Sequence, residues 1–213
     1  MSEEASVLTR PRLEARRRAF IEAATAAFLE KGYAATTLDD IIARSGGSRQ
    51  TLYALFGGKQ GLFKALVAER CATIFGSLCR EDMLDQAPDE ILVDLGIRFI
   101  ETVTAPDTLG IQRLVVSEGI FMKELAEQFW ETGPARTRAL LAQYFKQQVR
   151  RGTLRLDDAE QAAHQFWGML LGAFQFQCLL GLREAPDRAE AETYVRAAVA
   201  LFLDGCRAGG KAR

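Results

Sequence analysis

Apolar residues recur along this chain at spacings of three and four, the period of an α-helix that buries one side. Phe20, Ile21, Ala24, Ala27 and Phe28 form the first such stripe. Lys31 followed by Gly32 ends it, with a cation in the last turn beside a residue able to take the left-handed cap. Thr37 can cap the next segment, LDDIIARS, in which Asp39 and Asp40 occupy the first turn, where the helix dipole favours negative charge. Leu38, Ile41 and Ile42 supply its buried side, and Gly46-Gly47 stops it. Ser48 then caps RQTLYALF, which Gly57-Gly58 closes. Residues 12–56 therefore read as three short helices, the second and third joined by a tight glycine turn. Longer helices are predicted near 59–80, 88–104, 107–118, 120–151, 158–182 and 187–207. Pro88, Pro106, Pro134 and Pro186 mark starts or interruptions, and Gly133-Pro134 should break or kink the helix over 120–151. No segment reads as a strand. The expected fold class is all-α: an arm and three-helix head over 1–57, and a larger helical body over 58–213.

Composition narrows the function. Apolar residues make up 48% and charged residues 26%, as in ordinary globular proteins. No apolar run is long enough to span a bilayer, and the first residues have no apolar core of a secretory signal, so a cytoplasmic location without membrane partners is expected. The formal net charge of -1 argues against coating nucleic acid by bulk charge. The distribution is uneven, however: residues 9–20, TRPRLEARRRAF, hold five arginines and one glutamate. A basic patch at one end suits docking on a polyanion and equally suits a solvated helix start. Cys71, Cys79, Cys178 and Cys206 form no CxxC pair and His164 is the single histidine, so no metal site or cofactor is expected.

Helix, tight turn, helix is the outline of a helix-turn-helix unit. On a helical wheel with Leu52 pointing inward, Leu55 and Phe56 share its side. Gln50, Thr51, Tyr53 and Ala54 then face out, with Arg49 on the flank. That outer face has no acid and can enter a major groove. The stretch ATTLDDIIARSGGSRQTLYALFGGKQGLFKAL closely resembles the DNA-binding segment of TetR-family transcriptional regulators. The shared marks are the Thr-Thr before the second helix, the Thr-Leu-Tyr of the third, the following Phe, and the Lys and Leu-Phe that open the fourth. They follow a first helix that ends in Phe28-x-x-x-Gly32-Tyr33. Two positions depart from the pattern. Gly47 stands where a small aliphatic is usual, which removes a packing side chain, and Gly58 is a weaker cap than Ser or Asn.

Chemistry and resemblance together suggest a set of DNA contacts: Thr37, Ser48, Arg49, Gln50, Thr51, Tyr53, Ala54 and Lys59. Thr37 offers a hydroxyl and helix N-terminal N–H groups to a phosphate, though it can serve only as a cap. Tyr53 and Lys59 look like phosphate clamps. Gln50 can pair with adenine and Arg49 with guanine, and Thr51 can meet a thymine methyl. Arg10 and Arg12, beside Pro11, can reach the backbone or the minor groove as an arm.

The body is rich in aromatics. Phe75, Phe99, Phe121, Trp130, Trp167 and Phe174 are either packed core or walls of an apolar cavity, and the resemblance implies such a cavity for a small effector. Residues 112–172 further resemble the C-terminal domain of AefR-type members, and Arg113 and Glu118 there can bond a polar part of the ligand or pair structurally. The last two helices carry apolar residues on more than one side. Gly168, Leu171, Gly172 and Gln175, with Tyr194, Ala198, Leu201 and Gly205, are candidates for a homodimer interface, because the family dimerises through a four-helix bundle. Double-stranded DNA with a palindromic operator is the expected partner, and a repressor released by a largely apolar effector the expected function. Two rivals remain. One is a redox-responsive regulator using Cys71 and Cys79, which lie ~12 Å apart along a helix, too far to bridge directly. The other is a helical-bundle enzyme, for which the chain offers one histidine, no nucleophile elbow and no phosphate-binding glycine loop.

Overall fold

The computed structural model describes residues 10–78 and 85–206, and among these it forms ten α-helices and no strand. They are α1 (Arg10–Ala35), α2 (Leu38–Ser45), α3 (Arg49–Phe56), α4 (Lys59–Leu78), α5 (Pro88–Val103), α6 (Pro106–Gly119), α7 (Lys123–Thr132), α8 (Pro134–Arg150), α9 (Ala159–Leu179) and α10 (Arg188–Cys206). The side chain of Phe75 and the whole of Cys79 lie outside the described residues. Local chemistry accounts for most boundaries. Pro88, Pro106 and Pro134 each open a helix, where the missing N–H has no intrahelical partner to lose. Asp158 caps α9 by accepting from the N–H groups of Glu160 (2.8 Å) and Gln161 (3.1 Å).

The pattern over 120–151 breaks at Gly133-Pro134 into two helices, α7 and α8, one of the two outcomes expected there. One expected boundary comes out differently. In α1 the backbone leaves the helical region at Gly32 (φ 79°, ψ 163°), as the Lys-Gly stop predicts, but residues up to Ala35 resume the helical course. Arg10 and Arg12 belong to α1, so Arg12 sits exposed on a helix rather than in an extended arm.

Two apolar cores divide the molecule. Phe20, Ala24 and Phe28 of α1, Ile41 of α2 and Leu52 of α3 pack with Leu62, Phe63, Leu66 and Val67 of α4. The same cluster takes in Ile111 and Val115 of α6 and Leu125 of α7. The second core lies among α5, α8, α9 and α10 around Leu95, Tyr144, Phe145, Phe166 and Phe202. There α5 approaches α10 closely, because a Cβ on Gly96 would stand 2.7 Å from Val195 Cγ1. The buried Tyr144 donates its hydroxyl to the Gln86 carbonyl (3.1 Å), tying the segment before α5 to α8, and burial pushes its phenol up. α4 and α6 each reach from the first core towards the second. That sharing positions the site described next.

Candidate functional site

The turn between α2 and α3 is set by left-handed glycine caps. Gly46 (φ 66°) donates its N–H to the Ile42 carbonyl, and Gly57 (φ 72°) does the same to Tyr53 at 2.8 Å after α3. Ser48 Oγ accepts from the Thr51 N–H (3.1 Å) and also bonds the Thr51 hydroxyl (2.8 Å). Leu52 is fully buried, Leu55 and Phe56 are half-buried, and Arg49, Gln50, Tyr53 and Ala54 are exposed. Tyr53, 51% exposed, is an unusually open aromatic for a packed head. Thr51 is half-buried, its hydroxyl turned to Ser48.

Gly47 does not leave the gap its sequence suggests. A Cβ there would stand 2.2 Å from Phe20 Cζ, so the Phe20 ring already fills the space. That ring meets Phe56 edge to face, with centroids 6.1 Å apart. Gly61 is equally constrained: a Cβ there would lie 1.7 Å from the Phe56 carbonyl oxygen, where α3 ends against α4.

The polar groups of the head are held by partners within it. Arg49 Nη2 donates to both carboxylate oxygens of Asp39 (2.7 and 2.8 Å), which raises the guanidinium further above its usual range. Thr37 and Asp40 form a reciprocal capping box at α2: Thr37 Oγ accepts from the Asp40 N–H (3.1 Å), and Asp40 Oδ2 accepts from the Thr37 N–H (2.8 Å) and hydroxyl (2.7 Å). Lys31 donates to the same carboxylate (2.7 Å) and, with Thr37, holds it well below the usual carboxylate range. Lys59 Nζ lies 4.4 Å from the Tyr33 ring centroid and donates to the Ala34 carbonyl (3.2 Å), stapling the start of α4 to the end of α1. Burial lowers its ammonium, while the nearby Glu118 charge opposes that.

Between the two cores lies a cavity of about 260 Å³ walled by α4, α5, α6, α7, α8 and α9. Of the residues the sequence nominated for the effector, Phe99 and Trp167 line it, their ring centroids 4.2 Å apart. The others do not. Arg113 is spent on α9, donating to the carbonyls of Leu179 and Cys178 (both 2.8 Å). Glu118 faces the head, where its charge acts on Tyr33 and Lys59. Phe121 is 85% exposed in the turn after α6. Phe174 is buried against Tyr194. Trp130 lies under Arg138, beside a separate groove.

Sequence reasoning missed Gln112, Arg138 and His164, all on the cavity wall. His164 was the one available signal, as the chain's single histidine. Cys71 also lines the cavity, where burial pushes its thiol up, away from the reactive thiolate.

The candidate interface residues divide between two surroundings. Gly168, Leu171 and Gln175 line the cavity, Ala198 is buried, and Tyr194 donates its hydroxyl to the Met169 carbonyl (2.7 Å). Gly172, Leu201 and Gly205 are exposed. Phe176 (62% exposed), Leu180 and Ala197 are exposed as well, and Phe176 and Leu180 follow Gly172 along α9 at four-residue spacing.

Residues 20–66 match the family of "Bacterial regulatory proteins, tetR family", and residues 90–206 match "AefR-like transcriptional repressor, C-terminal domain". The HTH-type transcriptional regulator YvkB of Bacillus subtilis is 25% identical over 191 residues, covering 88% of this chain and 95% of that protein. A structure described as a TetR-family transcriptional regulator from Mesorhizobium loti superposes with a TM-score of 0.83 at 28% identity, over 93% of this chain and 99% of that one. The Flavonoid-responsive Regulator FrrA gives 0.77 at 29% identity, over 90% and 97%. These are transcriptional regulators, not enzymes. With the acid-free face of α3 set on a glycine-capped head, and both halves of the chain matched, this protein belongs to the TetR family as a DNA-binding transcriptional regulator with an AefR-like C-terminal domain.

Proposed function

We propose that this regulator is a cytoplasmic homodimeric repressor that grips a palindromic operator and lets go when a small, largely apolar effector enters the cavity. In this reading residues 1–57 are the DNA-binding head and 58–213 the effector and dimer domain. Ser48, Arg49, Gln50, Thr51 and Ala54 meet bases or the groove floor, while Thr37, Tyr53 and Lys59 hold phosphates. The exposed apolar surface around Gly172, Phe176, Leu180 and Leu201 meets the same surface of a second chain, which a lone protomer would leave in water. Two heads then address half-sites ~34–36 Å apart, or a multiple of that.

The observation that carries the effector response is the double membership of α6. Ile111 and Val115 belong to the head's core and also line the cavity. α4 has the same reach, with Leu62 to Val67 in the head's core and Cys71 and Ile74 at the cavity. A ligand that spreads the cavity wall therefore displaces helices on which the heads stand. By linkage, DNA must weaken effector binding by the factor that effector weakens DNA binding. The name of FrrA says that it responds to flavonoids, and the paired Phe99 and Trp167 rings support an aromatic body as one class of ligand here.

Footprinting of the purified protein on genomic DNA, followed by fluorescence anisotropy on the recovered palindrome, tests this. Gln50→Ala should cost ~1–3 kcal/mol and relax one operator position. Lys59→Ala should weaken all sequences alike and reduce the salt slope by about one. A triple Gln50→Ala, Tyr53→Ala, Lys59→Ala variant that binds the palindrome as well as the parent protein would end the proposal.

A further inference from the structure

The described wall of the cavity carries no acid. Its walls are apolar side chains such as Phe99, Val103, Ile111, Val115 and Phe129, and no Asp or Glu is among the described residues that line it. Its neutral polar groups are largely committed to one another: Gln175 Nε2 donates to Gln112 Oε1 (2.7 Å), and the Thr137 hydroxyl donates to the Gly133 carbonyl (3.0 Å). The arginines and the histidine differ. Arg70, on the side facing α1, has Asp107 at 3.4 Å. Arg138 and His164 sit elsewhere on the wall, and both also line a shallow groove along α8 and α9. The cavity and the groove therefore meet at these two side chains.

The groove is cationic. It adds Lys146 and Arg150, and the one acid among its described lining residues, Glu160, is paired with Lys146 at 2.8 Å. Arg138 is held without being neutralised. Its guanidinium lies over the Trp130 ring, 4.4 Å from the centroid, and no carboxylate pairs with it among the described residues. A stacked arginine with a free fork is suited to a planar or tetrahedral anion, which it can bind through two parallel hydrogen bonds.

We infer that the effector carries an anionic oxygen group, a carboxylate or a phosphate ester, on an apolar body, and that Arg138 and His164 receive that group where the cavity opens into the groove. This rests on the reading of the cavity as the effector site. The apolar body leaves water for the cavity, while the anion stops at a half-exposed mouth, so its desolvation is partial. The volume of about 260 Å³ lies below the ~300–1,000 Å³ usual for drug-sized ligands, which selects a short body: a medium alkyl chain or one or two rings.

Calorimetry on the intact protein with octanoate, octyl phosphate and 1-octanol, and with cinnamate and cinnamyl alcohol as an aromatic pair, tests the assignment. In each set an anion should bind on the order of tenfold or more tighter than its alcohol, as for a charge-assisted contact. Whichever of octanoate and octyl phosphate is preferred names the group. Arg138→Gln should abolish that preference and leave alcohol affinity within about twofold, while Arg138→Lys, which keeps charge but loses the fork, should retain part of it. His164→Gln should reduce it. Alcohols that bind as tightly as the anions, or a preference that survives both Arg138→Gln and His164→Gln, overturn the inference and leave the cavity as an effector site. Binding by none of the five probes counts against the effector cavity as well.

Discussion

Replacing Gly47 with alanine should damage the head, although a small aliphatic side chain is usual at this position in the segment the chain resembles. The added Cβ would stand 2.2 Å from Phe20 Cζ and 2.8 Å from Cε1, whereas carbon atoms pack at about 3.5–4.0 Å. Relief needs a shift of more than an ångström, on the order of 1.3 Å at the closest atom. The Phe20 ring cannot supply it by swinging into water, because it is fully buried and held edge to face by Phe56. Overpacking of this kind typically costs about 1–3 kcal/mol. At a fixed chain concentration, and with a urea slope of ~2 kcal/mol/M, the midpoint should fall by about 0.5–1.5 M. A double-mutant cycle separates this clash from a general effect of alanine in the turn. Phe20→Leu alone should destabilise by leaving a cavity. The double variant should be more stable than the sum of the two by on the order of 1 kcal/mol, since the smaller side chain vacates the space that the methyl needs. Additive losses, or an unchanged midpoint for Gly47→Ala, would refute the argument that Phe20 replaces the missing side chain.

Three further outcomes follow from the same geometry. Asp39→Asn releases Arg49 and removes a charge that faces incoming phosphates, so operator affinity should rise several-fold with a steeper salt dependence; affinity that stays level or falls in anisotropy assays contradicts this. The Asp40 carboxyl is depressed by Lys31 and Thr37, so its stabilising contribution is present above the unfolded-state value of about 4 and is lost as pH falls below that, towards its folded value. The stability gap between the parent and Asp40→Asn should therefore close on acidification from pH 5 downwards, and a gap independent of pH would show that the contribution is not electrostatic. Leu201→Glu places a charge in the proposed subunit contact while changing a side chain that is 71% exposed, so sedimentation should show monomers with unchanged helical circular dichroism. A persistent dimer would move the interface elsewhere.

Most of the head can be read from its residues in order, because the interactions that define it span few positions. The caps Thr37 and Ser48 bond N–H groups three residues on, and the left-handed glycines 46 and 57 close turns four residues back. The wheel on Leu52 likewise assigns Gln50, Tyr53 and Ala54 to the outer face. What escapes is partnership across helices. Asp39 occupies Arg49 from ten positions away, Ala34 takes Lys59 from 25, and Phe20 fills the space at Gly47 from another element altogether. In the body the same limit removes more. Hydrophobicity marks Phe121, Trp130 and Phe174 as alike, yet one is in solvent, one lies under an arginine and one is in the core.

The α9 and α10 pair shows where that division falls. A repeat of 3.6 residues per turn, read with the caps, is enough to establish all-helical character, the head and its outward face, since each depends on neighbours within about one turn. Periodicity also reveals that α9 has more than one apolar side, but it says nothing about what each side touches. Only the crossing of α5, α6, α8, α9 and α10 turned Gly168, Leu171 and Gln175 towards a cavity, left Phe176 and Leu201 on the surface, and brought Arg138 and His164 to one opening. Those outcomes depend on how helices distant in the chain pack against one another, a property of the assembled whole and of no single segment.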